Sequence, residues 1–348
     1  MFVCLRFLTR HLSLACHPQR LSSPARLGLL ALGLTALAAC GRSPGRPFDA
    51  RPELRLSARA IKNWTAAPDL PALRQGSVGG GFDGAFLVVG GASPQGGRLT
   101  RVDALGADLR WQARPALRVA RSAPALALGP DHTLYVFGGR GDTKILAAVE
   151  RWAPGRREWE ALSAMPEGRA EAAAASWQQD LFVLGGFNGR PLRTAWRFTP
   201  ATSEWRRLPD MPAARTGCVA VAMGERLVVA GGRTPDGLTE RVDIFDLQRG
   251  EWIPAAPLAA PRAYAAAFAW ANQMYVLGGR GVNGPVATVE RYNPALNAWT
   301  RESDLPVAIE APVAGVLWQP LAEATLVLSA GTVGGQPNRR TWMRPLTP

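Results

Sequence analysis

Residues 215–255 read RTGCVAVAMGERLVVAGGRTPDGLTERVDIFDLQRGEWIPA, and this stretch decides the fold. Thr216 to Ala222 is small and apolar. After the turn Met223-Gly224-Glu225 comes RLVVAGG, a β-branched run closed by two glycines. RTPDGL is rich in turn formers. Glu240 to Phe245 alternates polar and apolar residues, and Asp246 to Gly250 is a turn. Glu251-Trp252-Ile253 opens a fourth strand, which ends at Pro254. Four short strands with turn signals between them predict antiparallel β structure without a helix.

The same unit recurs in both directions. Trp64, Trp111, Trp159, Trp205, Trp252 and Trp299 are spaced by 47, 48, 46, 47 and 47 residues. Glycine doublets keep the same beat: Gly90-Gly91, Gly138-Gly139, Gly185-Gly186, Gly231-Gly232 and Gly278-Gly279, with Ala330-Gly331 as a weakened sixth copy. A fixed period of this size means one structural unit repeated. Four-stranded units whose faces need covering by their neighbours predict a β-propeller. The doublets fall where the second strand turns out from the crowded axis, a place for positive φ. The tryptophans fall on the outermost strand, where a wide ring bridges the growing gap between blades.

These residues resemble the kelch repeat family. The pattern is a small apolar strand, a hydrophobic run ending in Gly-Gly, a strand of the V-E-R-Y type, then Trp and a Met-Pro turn. The chain shows VVGG, VFGG, VLGG, VAGG and VLGG. It also has Val149-Glu150-Arg151-Trp152, Val289-Glu290-Arg291-Tyr292, Met165-Pro166 and Met211-Pro212. The resemblance covers about residues 60–346. WD-type propellers have a shorter period and a Trp-Asp signature; no Trp-Asp dipeptide occurs here.

Six inner runs, six Gly-type motifs and six phased tryptophans predict six blades. Trp342 lies too soon after Gly331 for an outer strand and fits a third strand. The chain therefore ends with its last blade lacking a fourth strand. Asn63-Trp64-Thr65-Ala66-Ala67-Pro68-Asp69-Leu70-Pro71 resembles Ala298-Trp299-Thr300-Arg301-Glu302-Ser303-Asp304-Leu305-Pro306 and supplies it. The fold class expected is all-β, a six-bladed kelch-type propeller whose sixth blade is closed by an N-terminal outer strand. Such a clasp removes a sheet edge.

Residues 1–39 contain Arg6, Arg10, Arg20 and Arg26 and no acid, with an uncharged run from Leu27 to Ala39. Thirteen residues are the length of a signal-peptide apolar segment and too short to span a bilayer. Leu37-Ala38-Ala39-Cys40 followed by Gly41 resembles the bacterial lipobox. It implies cleavage before Cys40, lipid on its thiol, and a place in the cell envelope, the outer membrane in a diderm. The domains expected are a signal peptide (1–39), a lipidated tether rich in Gly, Pro and charge (40–58) and the propeller (59–348). Membrane contact would be through lipid alone, and the propeller would be a monomer.

Formal net charge is +13, and all but Lys62 and Lys144 of the 40 basic residues are arginine. They are scattered, without the clustered basic face that nucleic-acid binding needs, so no nucleic-acid partner is expected. After cleavage only Cys40 and Cys218 remain. That leaves no internal disulfide, and the spacing offers no metal site. Cys218, in an apolar run, is read as a small buried hydrophobe. The one remaining histidine, His132, cannot supply the two His that the copper-dependent oxidases of kelch type use. No cofactor is expected.

Ten residues after each phased tryptophan stand Arg74, Arg121, Arg169, Arg215 and Arg262, with Ile309 in the sixth copy. Five arginines on a ring suggest an anion site; the kelch resemblance implies instead that they brace blades through carbonyls or acids. The next two positions approach the propeller mouth. They carry Gln75, Ser122, Thr216 and Glu310, and then Glu171 and Tyr264 where the repeat otherwise has Gly or Ala. Loops after the doublets add Arg140, Asp142, Phe187, Asn188, Arg233, Arg280 and Asn283. Acids, arginines, amides and an aromatic ring around one concavity suit a protein or glycan partner. Catalysis is the weaker expectation, and the alternative is a sugar mutarotase or isomerase using Glu171 and Glu310 as acid and base. Those two belong to the third and sixth repeats, roughly across the channel.

Overall fold

The computed structural model describes residues 64–317 and 324–346. The expected signal peptide, Cys40, the expected tether and residues 59–63 of the expected propeller lie outside the described residues. Among those described there is no helix.

Six four-stranded antiparallel sheets follow one another along the chain. Blade 4 is the stretch quoted above: Val219–Met223, Arg226–Ala230, Val242–Asp246 and Glu251–Ala255. Between its second and third strands Arg233–Thr234 and Gly237–Leu238 form a small hairpin. That hairpin turns RTPDGL from a plain loop into an ordered projection and delays the third strand to Val242. Blades 1, 2, 3 and 5 begin at Val78, Ala125, Ala173 and Ala266. Trp159 lies just ahead of the outer strand Glu160–Leu162 of blade 2, displaced by the one-residue longer repeat.

Blade 6 contains Val313–Leu317, Thr325–Ser329 and Thr341–Pro345, with Thr65–Ala67 as its outer strand. Thr65, Ala66 and Ala67 pair with Met343, Trp342 and Thr341. The expected clasp is therefore in place, built from the two ends of the propeller.

Second strands such as Ala85–Val89 and Asp180–Leu184 are buried along their whole length. Both faces of each sheet are covered by neighbouring blades, so these strands read as continuous apolar runs. The doublets have positive φ, for example 60° and 109° at Gly90 and Gly91. The second glycine donates its N–H to the arginine carbonyl in the link to the next blade, as Gly91 does to Arg121 at 2.9 Å. A Cβ at Gly91 would come 2.4 Å from Ser77 Oγ and 3.0 Å from the Gln75 carbonyl at a φ of 109°, so any other residue there is strained. The phased indoles bridge blades: Trp111, Trp159, Trp252 and Trp299 donate to the carbonyls of Pro68, Pro115, Pro209 and Ala256 of the preceding link.

Candidate functional site

The five phased arginines are fully or almost fully buried. Arg121, Arg169, Arg215 and Arg262 have their backbones tied to the preceding blade, and all five send the guanidinium into the following one. Arg74 donates to Asp103 at 2.7 Å and to the Val88 carbonyl. Arg215 donates to Asp243 at 2.6 Å. Arg121 and Arg262 pair with Glu150 and Glu290. In blade 3 the matching sheet position is Trp196, and Arg169 turns instead to Glu167 and the Thr194 hydroxyl. In blade 6 both partners are gone together: Ile309 replaces the arginine and Trp342 the acid. Burial pushes the Arg74 and Arg169 guanidiniums down to about 10. These groups are consumed inside the wall, so the anion-site reading does not hold for them. For Arg74, Arg121, Arg215 and Arg262 the partner is the acid of the V-E-R-Y strand.

Just inside this ring stand Gly76, Ala123, Glu171, Gly217, Tyr264 and Ala311, all with φ between 48° and 62°. Five backbone bonds run around the axis, from Ala123 N–H to Gly76 carbonyl and on to Ala311 N–H donating to Tyr264 carbonyl, at 2.6–2.9 Å. They frame one end of an axial cavity of about 210 Å³ whose wall is chiefly Gly, Ala and Val from all six inner strands. Left-handed backbone at a non-glycine residue costs about 1–3 kcal/mol and collects at functional positions. At Glu171 (56°) and Tyr264 (54°) the chain carries large side chains on that strained ring.

These two meet. The Tyr264 hydroxyl donates to Glu171 Oε2 at 3.0 Å, and Thr216 Oγ1 donates to the same oxygen at 2.8 Å. Arg140 donates to Oε1 from Nε at 3.1 Å and from Nη2 at 2.6 Å. The Arg140 guanidinium also lies 5.0 Å from the centre of the Phe187 ring. The tyrosine ring reaches Glu171 by lying over Gly217, where a Cβ would come 2.6 Å from Cε1. Burial, reinforced by the Glu171 charge, pushes the Tyr264 phenol well above its ordinary value.

A second ring surrounds the first. Gln75, Ser122, Ala170, Thr216, Ala263 and Glu310 pair through backbone bridges with Ala92, Arg140, Phe187, Arg233, Arg280 and Thr332, the residues that follow the doublets. The two sequence positions suspected of facing the mouth are thus brought together six times. Arg280 donates to Glu310 at 2.9 Å. Arg233 is exposed and has no carboxylate partner among the described residues.

Gln75, Asn188 and Asn283 point to solvent and stay outside the cluster; Asn188 forms a local turn with Arg190, and Asn283 sits at the tip of the Arg280–Pro285 hairpin. Glu171 and Glu310 are not a free acid–base pair, since an arginine neutralises each, and both charges act on Tyr264. Sequence reading missed Arg98, which joins the rim through a bridge to Ala92 and donates its backbone N–H to Asp142. Its counterparts Ile145 and Pro191 are apolar, so the repeat gave no signal there. Cys218 is buried in the channel wall, and burial pushes its thiol up. Among the described residues no group of three or more His, Cys, Asp or Glu could hold a metal ion.

The kelch motif matches residues 168–212, 214–259 and 261–306. Over 115 residues the chain is 30% identical to alpha-scruin of Limulus polyphemus; that alignment covers 31% of this chain and 12% of the relative, about an eighth of its length. With the motif matched in three successive repeats and six four-stranded sheets in sequence, the chain is an all-β, six-bladed propeller that carries kelch repeats.

Proposed function

We propose that this protein is a binding scaffold of the cell envelope, tethered by lipid on Cys40, whose mouth end grips a partner protein. One observation carries the reading: the two carboxylates suited by position to acid–base work, Glu171 and Glu310, are each held by an arginine. Glu171 accepts four hydrogen bonds, and Glu310 is paired with Arg280. A general base needs a free lone pair aimed at substrate, so the mouth is built to present groups rather than to move protons. Arg233, lacking a carboxylate partner, and Val282, 75% exposed at the neighbouring hairpin tip, offer one cationic and one apolar contact. A protein surface engages such a pair better than a glycan does. The kelch architecture, a rigid ring presenting loops at its ends, suits the same role.

Photo-cross-linking from Val282 in envelope preparations tests this. A partner should be captured by the otherwise wild-type protein and lost when Arg233→Glu is added to the same probe-bearing chain, with an unchanged melting curve. Acceleration of sugar anomer exchange by the wild type, abolished in Glu171→Gln, would overturn the binding reading in favour of the mutarotase. Cys40→Ala should release the protein from the membrane fraction.

A further inference from the structure

Away from the mouth, the blades are not equally well filled against one another. Three residues before each doublet stand Leu87, Tyr135, Phe182, Val228, Tyr275 and Val327, facing the next blade. Tyr135 lies 6.2 Å from the Phe198 ring of blade 3, and Phe182 shares a core with Phe245 of blade 4. Two residues earlier stand Ala85, Thr133, Asp180, Arg226, Gln273 and Thr325. Blades 2, 3 and 5 thus fill the gap with a ring, and blade 4 sets the long Arg226 beside Val228. At these two positions blades 1 and 6 carry neither a ring nor a long polar side chain.

Blade 6 compensates by closing up on blade 1. The facing strands carry Gly79-Gly80-Gly81 and Gly315; a Cβ at Gly315 would lie 2.6 Å from Gly80 Cα, and one at Gly81 would collide with the Val316 carbonyl. Glycine permits that backbone approach. No such closure occurs between blades 1 and 2. There a cavity of about 280 Å³ remains, lined by Phe82, Ala85, Leu87 and Trp152, with Arg114 and Arg156 at its lip. Neither arginine has an acid partner among the described residues. Asp83 is the opposing charge at the lip, which leaves it net positive.

We propose that this cavity is a second binding site, taking an aromatic side chain that acidic residues flank in an extended segment of a partner protein. The vacancy corresponds to the ring that sister blades supply themselves. Phe82 and Trp152, 5.8 Å apart and tilted by 56°, offer edge and face contacts. The two guanidiniums match flanking carboxylates with charge-assisted bonds.

The site is independent of the mouth, and its test keeps the two apart. The full-length protein is titrated with Ac-Asp-Phe-Asp-NH2, Ac-Asn-Phe-Asn-NH2 and Ac-Asp-Ala-Asp-NH2, read by calorimetry and saturation-transfer NMR. The first peptide should bind about tenfold tighter than either control. Leu87→Tyr, which restores the sister-blade ring, should abolish binding without lowering the melting temperature. If that variant melts lower, Ala85→Gln, the choice of blade 5, decides in its place. Arg114→Ala/Arg156→Ala should remove the preference for Asp over Asn, and Arg233→Glu at the mouth should leave binding unchanged. No preference among the peptides, or undiminished binding by a folded cavity-filled variant, overturns the proposal.

Discussion

The guanidinium of Arg344 lies 5.5 Å from the ring centre of Trp64, joining the last strand of the propeller to its first. In blades 3, 4 and 5 the equivalent contact is between two rings: Phe198 with Trp205, Phe245 with Trp252, and Tyr292 with Trp299, at 4.8–5.0 Å. In blade 6 a cation takes the place of the first ring. Burial pushes the Arg344 guanidinium down to about 10. The clasp therefore rests on three paired residues of one strand pair, this cation–π contact, and the bonds of Asp69 and Leu70 to Arg339.

Trp64→Ala should destabilise the propeller by about 3 kcal/mol, the usual range for removing a large packed ring. Deletion through Ala67 should prevent folding, since it bares the edge of blade 6. Arg344→Phe restores the ring pair of the sister blades and should hold or raise the melting temperature. Thermal melts followed by circular dichroism check all three; a soluble deletion with an unchanged melt would refute the clasp.

The buried pairs give a sharper comparison. Glu290→Ala leaves Arg262 charged and unpartnered in the wall and should cost about 3–5 kcal/mol. Arg262→Ile/Glu290→Trp copies the combination Ile309 and Trp342 that blade 6 already tolerates. The double variant should lose less stability than Glu290→Ala alone in urea unfolding. The reverse order would mean that the pair is not the unit being conserved between blades.

At the mouth, Tyr264→Phe removes one hydrogen bond to Glu171 and should cost about 1 kcal/mol. Gly217→Ala should cost more, because it adds a methyl under the tyrosine ring at a φ of 61°. In the double variant Gly217→Ala/Tyr264→Ala the clash is gone, so the Gly217→Ala penalty should shrink to its backbone part. Additive penalties in that cycle would place the ring elsewhere.

All four tyrosines, Tyr135, Tyr264, Tyr275 and Tyr292, are held above the ordinary phenol value, burial being the main cause in each; Tyr275 is pushed up to about 12. A raised acid binds its proton more tightly in the folded state. The stability it contributes is fully present below about pH 10 and is lost as pH rises through the folded value. Absorbance of tyrosinate should stay low at pH 10 and rise together with alkaline unfolding. A clean titration of any tyrosine near pH 10 in the folded protein contradicts this.

The blade count, the clasp and the wall were legible because each depends on local patterning repeated in phase. A doublet at Gly231-Gly232 or an indole at Trp252 means the same thing in every copy, and the mismatch at Trp342 exposed the missing strand. Even the two mouth positions could be read, since six bridges align them alike. Whether Gln75, Asn188 and Asn283 turn inward or to water was not legible, because a polar residue in a rim loop looks the same in either case.

The sequence alone determined a wheel of six equal sheets and the residue types around its mouth, because backbone periodicity survives as spacing along the chain. Tertiary structure decided which of those residues remain available. Glu171 and Tyr264 are 93 residues apart and satisfy one another across Gly217, and the Leu87 cavity exists only because the glycine seam of blades 1 and 6 has no counterpart between blades 1 and 2. Charge neutralisation and packing depend on direction and distance in space, and spacing in sequence carries neither.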